Sequence, residues 1–319
     1  MLEGLASEAL GIDLGGTKIS AFRVAEDGSV SARQTVETPA DDSEAIFEAV
    51  VASAKEVSGG EVVAVGIGAA GMIDFRAGVL RYAPNLAWRD FPVVERVSKA
   101  LGLPCLVDND ANVAAWGEYK FGAGVGSKHM LLVTVGTGIG GGIVDGGRMF
   151  RGAHGFAAEI GHIIVEPGGP PCGCGNLGCW EQVASGSAIT RMGRNAVRSH
   201  AKSLLAEMAE NDVSKVTGAM VTEAAKKGDP VSVEIIATAA QRLGEGIAGL
   251  VNVLDPEIVV VGGGVIAAGD MLLGPARVAF VDSVEASDFR PKVQLVAAKL
   301  GNDAGGIGAA AMALEELAG

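Results

Sequence analysis

Three of the chain's four cysteines stand in one short stretch, CGCGNLGCWEQ, as Cys172, Cys174 and Cys179. Thiols crowded in this way can form disulfides or clamp a metal as thiolates. His162 lies upstream and completes the pattern H-x9-C-x-C-x4-C, one imidazole and three thiolates, a set suited to tetrahedral Zn²⁺. On spacing alone, three buried thiols beside an unrelated histidine are the alternative. Glu159 precedes His162 by three residues, and Glu181 follows Cys179 by two. If the first turn is helical, Glu159 and His162 share a face. A metal joining His162 to the cysteine loop would then hold two carboxylates close together, where otherwise they would be solvated glutamates.

A second candidate is VDNDAN. Asp108, Asn109 and Asp110 end an apolar run and precede a helical stretch. A carboxylate here could take the proton from an attacking hydroxyl. Equally, Asn109 or Asp110 could simply cap the helix. Three glycine turns form the third group: Asp13–Lys18 (DLGGTK), Gly136–Gly142 (GTGIGGG) and Val261–Val265 (VGGGV). None has the Gly-Lys-Ser/Thr of a P-loop. GTGIGG fits G-x-G-x-x-G, but a strand follows it where a dinucleotide fold needs a helix. Any one of these turns could be a plain hairpin. Together they favour a split phosphate cradle, because amides without side-chain cover can approach phosphate oxygens closely. Asp13 adds a carboxylate for Mg²⁺ and Thr17 a hydroxyl for phosphate.

The elements that must position these residues alternate. LGIDLGGTKISAFRV reads as two strands joined by a Gly-Gly turn, DDSEAIFEAVVASAKEV as a helix and EVVAVGIGAAG as a buried strand. LPCLVDNDANVAAWGEYKFG reads as strand, turn and helix, with Cys105 in the strand core. The pattern restarts at HMLLVTVGTGIGGGIVDGG. Helices follow in SAITRMGRNAVRSHAKSLLAEMAE and DPVSVEIIATAAQRLGEGIAGLVNVL, then a strand in EIVVVGGGV. Strands alternating with helices predict an α/β fold. The repeated strand–glycine turn–strand opening predicts a duplicated fold of two domains with a cleft.

Composition narrows the function classes. At 319 residues the chain can hold two ordinary domains. Its net charge of −13, without a basic cluster, argues against nucleic-acid binding. The longest uncharged apolar run, Val62–Ile73, is short for a bilayer and broken by glycine, so no membrane association is expected. The N-terminal MLEGLASEALGIDLGG lacks signal-peptide character, so a cytoplasmic location is expected. A reducing cytosol disfavours stable disulfides and tilts the cysteine cluster towards metal.

GIDLGGTKIS, VDNDANVAAWGE, TVGTGIGGGIV, AAEIGHI, CGCGNLGCWE and VVGGGV resemble the ordered motifs of the ROK family of repressors and sugar kinases. The match runs from Gly11 to the terminal GNDAGGIGAAAMALEEL, and APNLAWR and NVAAWGEYKFG bring it nearest to the ATP-dependent glucokinases. The resemblance implies a duplicated actin-like (ribonuclease-H-like) fold, with residues 1–118 plus 301–319 in one domain and 119–300 in the other. It implies Asp110 as catalytic base, with Gly71, Asn85, Asn109, Glu159, His162 and Glu181 on the sugar. It further implies ATP and its phosphates on Asp13, Gly15, Gly16, Thr17, Lys18, Gly136, Thr137, Gly138, Gly262, Gly263 and Gly264. Mg²⁺ would accompany ATP, and His162, Cys172, Cys174 and Cys179 would hold a structural Zn²⁺. Glucose and ATP are the expected partners, and the chain is expected to form a homo-oligomer, dimer or tetramer. Asp108 departs from the family's usual glutamate, a change expected to be tolerated. Other hexoses (fructose, mannose, N-acetylmannosamine, N-acetylglucosamine) and polyphosphate as donor are alternatives. A repressor is disfavoured because only about ten residues precede the first strand, too few for a helix-turn-helix.

Overall fold

Residue 7 to residue 199 and residue 202 to residue 317 are described by the structure, a computed structural model. The first six residues of the N-terminal stretch read above, residues 200–201 inside an expected helix, and residues 318–319 lie outside them.

The opening run forms β1 (Glu8–Leu14) and β2 (Lys18–Ala25), paired antiparallel so that Leu14 faces Ile19 across the turn. β3 (Val30–Glu37) adds an outer strand. Helix α1 (Ser43–Val57) starts where the Asp42 side chain accepts from the N–H groups of Glu44 and Ala45. β4 (Val62–Ala69) then returns parallel to β1. A small meander follows, β5 (Met72–Asp74), β6 (Val79–Tyr82) and β7 (Arg89–Phe91), then α2 (Val93–Leu101). β8 (Cys105–Asn109) runs without a turn into α3 (Asp110–Phe121).

The pattern restarts with β9 (Met130–Val135), β10 (Ile139–Asp145) and the short β11 (Arg148–Met149). The stretch read as one helix is two, α5 (Gly186–Ser199) and α6 (Leu204–Met208), with the short α4 (Glu181–Ala184) ahead of them. α7 (Gly218–Lys226), α8 (Pro230–Leu254), β12 (Ile258–Gly262), α9 (Asp270–Ser283), β13 (Gln294–Ala297) and α10 (Ala304–Leu317) complete the chain.

Each of the two large sheets has five strands, in the orders β3-β2-β1-β4-β8 and β11-β10-β9-β12-β13. Renumbered within its own sheet, each order is 3-2-1-4-5, so the duplication expected from the two strand–glycine turn–strand openings is present. The chain divides into two compact units. One takes residues 1–132, 142–158 and 298–319, and the other residues 133–141 and 159–297. The first unit therefore extends beyond the expected 1–118 and 301–319, because the ends of β9 and β10 and the loop to residue 158 cluster with it.

In the first unit, Leu10, Ile12, Leu14, Ile67 and Val107 of the sheet pack with Ile46 and Val50 of α1, all buried. α10 lies on the sheet so closely that a Cβ at Gly11 would sit 1.8 Å from Gly306 O. It also presses on α3, where a Cβ at Gly308 would sit 1.7 Å from Val113 O. Glu118 of α3, fully buried, accepts from the N–H groups of Ala123, Lys299 and Leu300 and so fixes α3 to the segment entering α10. In the second unit, α8 begins with Asp229 as cap and Pro230 in the first turn. It packs on α9 where a Cβ at Gly244 would sit 2.3 Å from Ala276 O. Among the described residues, no helix is long and apolar enough to cross a membrane.

Candidate active site

In the first unit, the strand β8 feeds straight into α3, which fixes the roles of its three polar residues. Asn109 is the helix cap: its Oδ1 accepts from the N–H groups of Ala111 and Asn112. Its Nδ2 donates to Gly71 O at 3.2 Å. Gly71 needs its φ of +150° and the space, since a Cβ would meet Tyr82 O at 2.5 Å. Asp110, the first residue of the helix, also accepts from the Ala111 N–H at 3.0 Å. Burial pushes its carboxyl above the ordinary range.

Asp13, at the end of β1, is pushed up to about 6 by burial and then by the neighbouring Asp110 charge, against the pull of Lys18. A buried carboxylate whose proton affinity is raised further by a second carboxylate is suited to sharing a dication or receiving a proton with it. The turn after Asp13 is tight, with the Gly15 N–H on Lys18 O at 3.0 Å. Thr38 braces it twice, its hydroxyl donating to Gly15 O and its N–H to Thr17 O. Asn85 packs on Gly16, where a Cβ would sit 2.7 Å from the Asn85 Cβ. Thr17 and Lys18 are exposed.

Asp108 is not part of this constellation. It is 1% exposed and accepts from the Asn109 N–H (2.7 Å), Asn112 Nδ2 (2.9 Å) and Arg151 Nε (2.7 Å). This ion pair is a feature that sequence reading misses, because the two residues lie 43 positions apart.

In the second unit, the turn between β9 and β10 closes with the Gly136 N–H on Gly138 O. The start of α5 is fastened to it: the Gly186 N–H donates to Gly136 O and the Ser187 N–H to Thr137 O. Gly136 and Thr137 line a cavity of about 710 Å³ together with Gly264, Glu223 and Lys226. Two of the predicted glycine turns thus meet at one cavity. Gly262 ends β12, and Gly263 follows at a φ of +88°, where a Cβ would sit 2.5 Å from Val135 O. Ser187, Glu223 and Lys226 were not legible as site residues, and only the helix start after CWEQ hinted at Ser187.

His162 closes a 3-10 turn that starts at Glu159, with the His162 N–H on Glu159 O at 3.1 Å, so the two residues do share a helical turn. Glu159 is exposed. Ile164 bridges to Cys179, and the Trp180 N–H donates to Ile163 O, which brings the histidine segment to the cysteine loop. Trp180 anchors that loop: it is fully buried against Gly246 and its Nε1 donates to Arg242 O.

The ligand atoms of His162, Cys172, Cys174 and Cys179 lie within 4.8 Å of one another. Cys174 and Cys179 sulfurs are 3.6 Å apart, and Cys172 Sγ is 3.5 Å from His162 Nδ1. A tetrahedral zinc with Zn–S about 2.3 Å and Zn–N about 2.0 Å would set these separations at about 3.8 and about 3.5 Å. The donor set fits the ion. Burial pushes the Cys179 thiol up to about 12, and a dication beside it would oppose that shift. Glu181 Oε1 lies 3.3 Å from Cys172 Sγ, and its Oε2 fills the space that a Cβ at Gly138 would enter, at 2.5 Å. Glu181 therefore links the cluster to the glycine turn. Cys105, buried in β8, is pushed up to about 12 by burial, consistent with a core role.

The ROK family model matches residues 9–316. The chain is 43% identical over 310 residues to the glucokinase of Streptomyces coelicolor, covering 96% of this chain and 97% of that one. It is 38% identical over 313 residues to the glucokinase of Thermotoga maritima, covering 97% and 98%. The crystal structure of a ROK family glucokinase from Streptomyces griseus, in complex with glucose and AMPPNP, superposes with a TM-score of 0.86 at 43% identity. That match covers 97% of this chain and 99% of that one, and it carries the actin-like sugar-kinase fold to this chain. The chain belongs to the ROK family.

Proposed function

We propose that this ROK-family chain is an ATP-dependent glucokinase, transferring the γ-phosphoryl group of ATP to the 6-hydroxyl of glucose. The observation that carries its chemistry is the division of labour at the start of α3. Asn109 caps the helix, so the Asp110 carboxylate is released from that duty. A positioned base works best with a proton affinity lifted towards working pH, and burial lifts that of Asp110. Asp110 accepts the hydroxyl proton as the sugar oxygen attacks phosphorus, and ADP leaves.

The amides of Gly15, Gly16 and Gly138, with Thr17, Lys18 and Thr137, hold the phosphates. The adenosine end occupies the cavity at Gly136 and Gly264, with Gly262 and Gly263 behind. Asp13 would hold Mg²⁺, which cancels charge on the transferring group. Gly71, Asn85, Asn109, Glu159, His162 and Glu181 bind the sugar. His162, Cys172, Cys174 and Cys179 would hold a structural zinc. With Nδ1 of His162 facing Cys172, Nε2 is left for a sugar hydroxyl. Glu181, beside Cys172, is positioned by the same cluster. Reduced thiols of this kind suit the cytoplasm, and a dimer or tetramer belongs to the same reading, to be checked by light scattering.

The test is a panel of purified protein against glucose, fructose, mannose, N-acetylmannosamine and N-acetylglucosamine, each with ATP or polyphosphate. Glucose with MgATP is expected to give the highest kcat/KM. A higher value for another sugar would overturn the glucose assignment, and a higher value with polyphosphate would overturn the donor.

A further inference from the structure

A second cavity, about 1060 Å³, lies wholly in the first unit and shares no lining residue with the proposed active site. Its walls are the β5–β6 hairpin and residues 149–156. Gly155 joins the two walls: it has a φ of +89°, and a Cβ there would sit 2.5 Å from Ile73 O. The cavity is therefore built into the backbone.

Its lining is unlike the rest of this acidic chain. Arg76, Arg81, Arg151 and His154 face one carboxylate, Asp74, in a protein with net charge −13. Arg81 is already engaged by Asp74 and Asp90. Arg76 has no ion pair or hydrogen bond among the described residues. Arg151 is held on three sides: Nε on Asp108, Nη2 on Glu316, and its guanidinium 3.7 Å above the Phe75 ring. Its Nη1 makes no hydrogen bond among the described residues. A guanidinium fixed in this way loses little further freedom when it receives an acceptor, which favours binding. Phe150, 46% exposed, lines the same cavity and sets an apolar surface next to the cationic one. One carboxylate is too few to cage a divalent cation. The volume is far larger than an inorganic anion requires.

We propose that this cavity binds a small organic oxyanion, a carboxylate or phosphate ester with a flat apolar body. The oxyanion would sit between Arg76 and Arg151, whose planar forks match both head groups. The apolar body would lie on Phe150.

The test is calorimetric titration of the full chain with glucose and AMPPNP present, so that substrate sites are filled. The probes are phenyl phosphate, benzoate, inorganic phosphate and benzyl alcohol. Phenyl phosphate, benzoate or both should bind saturably, about tenfold or more tighter than inorganic phosphate and benzyl alcohol. Which of the two binds tighter identifies the head group. Arg76→Ala, at an exposed position, should weaken that binding about tenfold or more, the worth of a charge-assisted hydrogen bond, with thermal stability and glucose phosphorylation unchanged. Phe150→Ala should weaken the aromatic probes alone. Absence of saturable binding by both aromatic oxyanions, equal binding of inorganic phosphate, or binding indifferent to Arg76→Ala would each overturn the proposal.

Discussion

Asp108 and Asp110 stand two residues apart, and the same conservative substitution is expected to have opposite consequences at each. Asp108→Asn keeps one oxygen, enough for the Asn109 N–H and Asn112 Nδ2. Its new NH₂ then faces Arg151 Nε, donor against donor, where the ion pair had been 2.7 Å long. Removing one partner of a buried pair costs about 3–5 kcal/mol. Arg151 retains Glu316 and is 17% exposed, which favours the lower end, about 3 kcal/mol. For a folding unit of this size that is a fall in Tm of roughly 6–12 °C. Turnover at saturating substrates, measured well below the transition, should stay within about threefold of wild type, since Asp108 makes no contact with the reacting groups.

Asp110→Asn should do the reverse. Its carboxylate caps nothing that Asn109 does not already cap, and its burial raises its proton affinity, so at pH 7 Tm should hold or rise. The amide cannot take a proton, and kcat should fall roughly 10²- to 10⁴-fold. Glucose binding should weaken far less, because the amide can still contact the hydroxyl. Differential scanning calorimetry and steady-state kinetics on both variants check the pair. The reasoning is refuted if Asp108→Asn melts with wild type, or if Asp110→Asn turns over like it.

Asp13, pushed up to about 6, binds its proton more tightly folded than unfolded, so its ionised form weakens the metal-free fold at pH 7. That weakening disappears as pH falls through about 6 towards the ordinary 3.8. Asp13→Asn should therefore exceed wild type in urea midpoint at pH 7 and match it near pH 4. An equal gap at both pH values would contradict this. Gly138→Ala places a Cβ 2.5 Å from Glu181 Oε2 and must displace that carboxylate. If Glu181 grips the sugar, kcat/KM for glucose should fall about 10- to 100-fold with an unchanged circular dichroism spectrum. Elemental analysis should find about one zinc per chain. Cys174→Ser should lose it along with most activity while the bulk fold survives. A metal-free wild type with full activity would rule the clamp out.

Much of this molecule was determined locally and could be read from its order of residues. Hairpins at DLGGTK and GTGIGGG, the strand before VDNDAN and the helix after it follow from neighbours a few positions apart. Backbone torsions, caps and the period of apolar residues act over that range. The His162–cysteine cluster is legible for a related reason, because metal geometry restricts ligand spacing. Tertiary structure decided what depends on partners distant in sequence. Asp108 reads like Asp110 until Arg151 arrives from 43 residues away and removes it from the chemistry. Glu118 looks like an ordinary helical surface residue, yet it is fully buried on the N–H groups of Lys299 and Leu300. α10 gave no amphipathic signal because it is buried nearly all round, and its small residues record only how near the sheet and α3 approach it. The cavity between Arg76 and Arg151 has no sequence signature at all. Its two walls belong to segments some seventy residues apart, and the close approach of Gly155 to Ile73 and the stacking of Arg151 on Phe75 bring their charges together.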